Sequence, residues 1–261
     1  MNTNKNSYTF IYASVMVIIV AFLLAFVSSL LKPMQEKNIE LDKKKQVLAA
    51  LNIFEKDAEA AYAKYVKADQ LLDAQGNVAA ETGGFAVANA AVGEQLPLYV
   101  CEVEGETKYV VPLYGAGLWG PIWGYVALNA DKQTIYGTYF AHASETPGLG
   151  AEITNRDKFQ VPFIGKKAVD GEGNVVISVV KFGKVKDETV EVDGISGGTI
   201  TSNGVDAMLK NSLGFYKAFL TQGACAAKAE CSENTACPEQ AKECGACPDS
   251  VPAAKIEVVN Q

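Results

Sequence analysis

The residues best suited to chemistry lie in Asp193-Gly194-Ile195-Ser196-Gly197-Gly198-Thr199-Ile200-Thr201-Ser202-Asn203. Three hydroxyls, on Thr199, Thr201 and Ser202, fall within four residues and follow directly on two glycines. Val205, Met208, Leu209, Leu213, Phe215, Tyr216 and Phe219 then recur at helical spacing. The loop therefore runs into a helix over Asn203–Leu220, with Ser202 or Asn203 as the expected N-cap. Free amides and the helix dipole at such a junction favour a phosphate, and the glycines let a ligand approach the backbone. On these physical grounds alone, a phosphate site and an ordinary turn before a capped helix both stay open.

Two further blocks carry chemistry-bearing residues. Gly115-Ala116-Gly117-Leu118-Trp119-Gly120-Pro121-Ile122-Trp123-Gly124-Tyr125 places two indoles beside a glycine-bearing loop. They suit stacking on a flat ring or, as the commoner role of such side chains, core packing. Glu145-Thr146-Pro147-Gly148-Leu149-Gly150-Ala151-Glu152 offers Glu145 as a proton donor, a hydrogen-bond acceptor for a ligand, or an exposed loop carboxylate. Five of the six cysteines, Cys225, Cys231, Cys237, Cys244 and Cys247, lie in the last 41 residues. Cys244-x-x-Cys247 could open a metal or iron–sulfur site, and the irregular spacing also suits disulfides or free thiols. His142 is the single histidine, which excludes any site built from two imidazoles. With 23 basic and 30 acidic side chains the net charge is −7, which argues against nucleic acid.

These residues need elements to position them. Phe10 to Leu31 is a run of 22 residues with no charge, Gly or Pro. At about 1.5 Å per residue it spans roughly 33 Å, enough for a ~30 Å hydrocarbon core. It is longer than the apolar region of a signal peptide and ends without a small-residue cleavage site. Lys32, Lys37 and Lys43–Lys45 follow it, a bias that by itself keeps the bulk of the chain cytoplasmic, although long domains translocate regardless of charge. Beyond Pro33, Val47, Leu48, Leu51 and Phe54 have helical spacing, and a second short helix is expected near Ala58–Val66. Tyr99–Val103 and Lys108–Leu113 flank Glu104-Gly105-Glu106 as a hairpin. Ile122–Leu128 and Thr134–Phe140 flank Asn129–Lys132 as another, and Val175–Val180 is a further strand. Strands between terminal helices predict an α+β domain. The expected organisation is a stub over 1–9, a transmembrane helix over 10–31, a helical membrane-proximal segment over 32–95, a domain of β-sheet with flanking helices over 96–220, and a Cys-rich tail over 221–261 with too little apolar mass for its own core.

Asp-x-x-Ser-Gly-x-Thr followed by Thr-Ser resembles the flavinylation motif of the FMN-binding domain family. The resemblance implies that Thr199 carries FMN through a phosphoester bond. Gly198 stands where that family usually has alanine, a small-for-small change. Taken in order, the three blocks and the N-terminal span resemble the family of C-type subunits of the sodium-translocating NADH:quinone reductase, over roughly residues 10–220. The FMN-carrying G-type subunit of the Rnf ferredoxin:NAD electron-transfer complex shares the motif and the anchor and is the alternative. The Gly-Leu-Trp-Gly-Pro-Ile-Trp-Gly-Tyr block favours the former.

The resemblance implies a translocase subunit that is not catalytic alone. It would relay electrons one at a time between NADH and ubiquinone in a complex that exports sodium. It implies Leu118 and Leu149 near the ring faces, with Trp119 beside them. Glu145, Thr146, Gly148 and Ser196 would line the flavin and its ribityl phosphate, with Gly197, Gly198 and Thr201 in the same motif. The implied partners are the other subunits, a second FMN-carrying one among them, and a flavin transferase. Because that transferase acts on the outer face of the bacterial inner membrane, a single-pass chain with a periplasmic flavin domain is implied. Two other classes compete: an anchored assembly subunit that has lost its flavin, suggested by Gly198, and an envelope metal-binding protein acting through its cysteine tail, where Cys244 and Cys247 are the candidate ligands. Cys101 is expected to be a buried apolar thiol.

Overall fold

A computed structural model describes residues 6–222. Helix α1 runs unbroken from Asn6 to Ala50, 45 residues with Pro33 inside. At about 1.5 Å per residue it is roughly 68 Å long. Its first half turns apolar side chains outward on all sides, and it is the one helix among the described residues long and apolar enough to cross a membrane. Its second half carries the i,i+4 ion pairs Lys32–Glu36 and Lys44–Glu40. It ends because Asn52 adopts a left-handed φ of 60°. The Ile53 amide then reaches back to the Leu48 carbonyl, and the Asn52 amide to that of Ala49. Helix α2, Ala58–Tyr65, starts where the Asp57 carboxylate accepts from the Glu59 and Ala60 amides, both at 3.1 Å.

A six-stranded antiparallel sheet follows, in the order β2-β1-β3-β4-β5-β6. Its strands are β1 Val66–Leu72, β2 Val78–Ala80, β3 Leu96–Val103, β4 Glu106–Ala116, β5 Pro121–Leu128 and β6 Ile135–His142. The expected hairpins are β3–β4 and β5–β6. The first turns on Glu104 and Gly105, both at positive φ, which matches the twist of the strands. In the second, the Asp131 carboxylate accepts the Gln133 and Thr134 amides. A short parallel pair, β7 Ser178–Val180 and β8 Glu191–Asp193, precedes helix α3, Thr199–Phe215. Helical structure resumes over 217–222.

Alternating strand residues build two cores. Leu98, Val111, Leu113, Ile122, Val126, Leu128 and Phe140 pack with Val205, Leu209 and Leu213 of α3. Tyr99, Cys101, Val110, Tyr125 and Ala127 on the reverse face cover Val47, Ala50 and Leu51 of α1. The result is a sheet between two helical layers. Cys101 lies fully buried, and burial pushes its thiol up to about 12.

Three expectations change, and one left open is resolved. The segment 32–95 is not helical throughout, because β1 and β2 join the sheet by pairing with β3 and with each other. The strand expected over Val175–Val180 shortens to Ser178–Val180. Helix α3 starts at Thr199 rather than near Asn203, with Gly198 at its cap and no side-chain bond there. Trp123 is kept on the α1 side of the sheet, its indole N–H donating to Gln46 Oε1 at 3.1 Å. The tail cysteines Cys225, Cys231, Cys237, Cys244 and Cys247 lie outside the described residues.

Candidate functional site

The motif loop is shaped by its own side chains. Asp193, the last residue of β8, accepts the Gly183 amide at 2.7 Å, and the Gly194 amide donates to the Val180 carbonyl at 2.7 Å. Ser202 is not a cap: its hydroxyl accepts the Ile195 amide at 2.8 Å and donates to the Gly198 carbonyl at 2.9 Å. This closes residues 195–202 into a ring that presents the start of α3. The first amides of a helix have no partner within it, and here no side chain caps them.

The four hydroxyls of the loop separate cleanly. Ser196 and Thr199 are exposed, whereas Thr201 and Ser202 are each 2% exposed and are committed to inward bonds. Thr199 is the first residue of α3, so its hydroxyl stands beside the open amides.

Two other loops meet the motif at Glu145. One is the turn between β4 and β5, residues 117–120, closed by the Gly117 amide on the Gly120 carbonyl at 2.9 Å. The other follows β6, where the Leu149 and Ala151 amides both donate to the Thr146 carbonyl at 3.1 Å. Glu145 Oε1 accepts the Trp119 amide at 2.8 Å, and Oε2 accepts the Thr201 hydroxyl at 2.7 Å. The Glu145 amide donates to His142 Nδ1 at 3.2 Å. The carboxylate is therefore not a solvated loop group: Glu145 is 4% exposed. Burial alone would raise its carboxyl, but the bonds from Thr201, Trp119 and Leu118, with the nearby His142, outweigh this and hold it below the usual carboxylate range. The close approach requires glycine at two positions, since a Cβ on Gly117 would strike Glu145 Oε1 and one on Gly150 would strike Oε2 and Thr201 Oγ1.

Outward from this junction, Leu118, Trp119, Leu149 and Ile200 are exposed, Trp119 at 67%. A side chain added at Gly197 would meet Leu149, so Leu149 lies over the motif loop. Thr146 and Gly148 are exposed beside it. A cleft of about 420 Å3 adjoins, lined by Gly148, Ser196 and Asp193 together with Glu152, Lys158 and Phe182. The structure thus brings together Leu118, Trp119, Glu145, Thr146, Gly148, Leu149, Ser196, Gly197, Gly198, Thr199 and Thr201, with Glu145 and Thr201 behind the surface rather than on it. Lys158 and Phe182 are additions that the sequence did not mark. They sit on a one-turn π-helix and an exposed turn that have no periodic pattern. Among the described residues no group of His, Cys, Asp or Glu is placed to hold a metal ion, and Cys244 and Cys247 are not among them.

The chain is similar to known proteins in the same region. The FMN-binding domain family matches residues 117–214. The C-type subunit of the Na(+)-translocating NADH-quinone reductase of Haemophilus ducreyi is 30% identical over 233 residues, covering 80% of this chain and 90% of its own. Its counterpart from Pasteurella multocida is 33% identical over 213 residues, covering 71% and 81%. The crystal structure of the C-type subunit of the same reductase from Parabacteroides distasonis matches with a TM-score of 0.68 at 45% identity, over 73% of this chain and 97% of that one. That of Shewanella oneidensis NqrC matches at 0.61 and 26% identity, over 74% and 99%.

Proposed function

The chain belongs to the family of C-type subunits of the Na(+)-translocating NADH-quinone reductase, and from that premise we propose that Thr199 carries FMN as a phosphoester. The observation that supports this reading is the sorting of hydroxyls. Thr199 is open at the amide-rich start of α3, while Thr201 and Ser202 are buried and bonded elsewhere. Ester formation joins Thr199 Oγ to phosphorus and breaks the bond from that phosphorus to the oxygen of its previous substituent, which departs with the hydroxyl proton. The protein gains one FMN less one water.

The residues fit such a group. The open amides and dipole of α3 suit a phosphate. The exposed Leu118, Trp119 and Leu149 offer apolar contact to a flat ring. The cleft lined by Ser196 and Gly148 carries the cation Lys158 beside two acids, Glu152 and Asp193, of which Asp193 is engaged by the Gly183 amide. Bound FMN supplies the electron-carrying chemistry, and the chain supplies attachment, orientation and electrostatics. A covalent link keeps the carrier in place through repeated electron transfer.

Within this reading the protein is one relay in a membrane complex that passes electrons from NADH to ubiquinone and exports sodium. Its partners are the other subunits, including a second one with covalent FMN, and a flavin transferase for maturation. The span over Phe10–Leu31 anchors it, with the sheet domain on the periplasmic side of the inner membrane. The domain bounds 10–31, 32–95 and 96–220 are functional divisions in this proposal, laid over an α1 that crosses the first of them without a break.

The test is in-gel flavin fluorescence after co-expression with a competent flavin transferase. Wild type should fluoresce, Thr199→Ala should not, and Thr201→Ala should retain flavin better than Thr199→Ala. A dark wild type, or a fluorescent Thr199→Ala, overturns the reading.

A further inference from the structure

We infer that Glu145 is a positioning residue, a fixed buried anion that locks the Leu118–Trp119 turn to the first turn of α3 and keeps the potential of the attached flavin low. The inference rests on the flavin reading above and goes beyond it. Both carboxylate oxygens are engaged from within the protein, one by the Trp119 amide and one by the Thr201 hydroxyl. Gly117 and Gly150 close in so tightly that neither position has room for a methyl group beside those oxygens. A carboxylate that accepts a bond on each oxygen, is walled in this way and is 4% exposed lies behind the ligand-facing surface rather than on it.

Its charge nevertheless matters there. No Lys or Arg pairs with Glu145 among the described residues; the anion is held by its hydrogen bonds, with the His142 ring nearby. The turn it grips carries the exposed Leu118 and Trp119, and the hydroxyl it grips is two residues from Thr199. Electrons added to a flavin held at these residues bring negative charge towards a buried negative charge, in surroundings that screen less than water. The repulsion lowers the reduction potential. The same two bonds hold the loops in register, so their loss loosens the platform on which the flavin is set.

The test uses the full-length protein in detergent, as wild type, Glu145→Gln, Thr201→Val and Thr201→Ser. Flavin loading by the transferase is followed by mass, and the midpoint potential by redox titration. Glu145→Gln keeps the volume and removes the charge, and its potential should shift positive of wild type. Thr201→Val should load about tenfold more slowly, the factor for losing one charge-assisted hydrogen bond. Thr201→Ser, which keeps the hydroxyl, should restore the wild-type rate. A loaded Glu145→Gln with the wild-type potential overturns the electrostatic role. Wild-type loading by Thr201→Val overturns the positioning role, and does so even where Glu145→Gln fails to fold. A wild type that takes no flavin fails on the prior reading and takes this inference with it.

Discussion

At the scale of single residues, the site depends on which groups are left free and which are used up. Glu145 is the sharpest case, because its carboxyl is held below its ordinary value of 4.5. A carboxyl with a lower value folded than unfolded stabilises the fold above about pH 4.5, and that contribution is lost as the pH falls through the folded value. Glu145→Gln should therefore flatten the acid limb of a plot of melting temperature against pH, measured on unloaded protein; an unchanged limb would remove the charge from the account. Thr199 was legible in the sequence, since the motif names it and the structure leaves it open. The burial of Glu145 was not. Its immediate neighbours, Ser144 and Thr146, describe an ordinary polar loop. The partners that enclose it, Gly117 and Thr201, lie 28 residues before and 56 after it. Ser202 misled in a similar way: its type suits a cap, but its hydroxyl closes the loop one turn inside the helix.

At the scale of elements, α3 does two jobs, presenting Thr199 at its start and burying Val205, Leu209 and Leu213 against the sheet. Leu209→Ala removes a fully buried side chain and should cost about 2–5 kcal/mol. Chemical denaturation would show this as an earlier midpoint, while flavin loading below the transition should persist because the helix start is untouched. Both hairpins and α3 were legible from periodicity and turn residues. Strand β1 was not: in Val66–Leu72 the alternation of Val66 and Ala68 with Lys67 and Asp69 is short and breaks at Gln70. It is a strand because β3 supplies hydrogen-bond partners along its length, a tertiary effect absent from local sequence. Pro33 lies inside α1, just beyond the apolar run, where the helix continues without ending.

At the scale of the whole molecule, one helix joins an apolar span to a water-facing fold. Removing residues 1–33 should move the protein from the membrane pellet to the soluble fraction on ultracentrifugation, with its melting temperature little changed. The α1 residues that pack on the sheet, Val47, Ala50 and Leu51, lie beyond the cut. A truncated chain that still pelleted with membranes would deny the span its anchoring role. The apolar span, the sheet domain and the motif loop were all visible in order along the chain; the meeting of three loops at Glu145 was visible only in three dimensions. Everything proposed about electron relay depends on where the flavin is attached. The most direct test is fragment mass mapping of the tryptic peptide 187–210, which holds Ser196, Thr199, Thr201 and Ser202 together. The account predicts one FMN adduct, on Thr199. An adduct on Ser196 or Thr201, or an unmodified peptide from protein matured with a competent transferase, would contradict it.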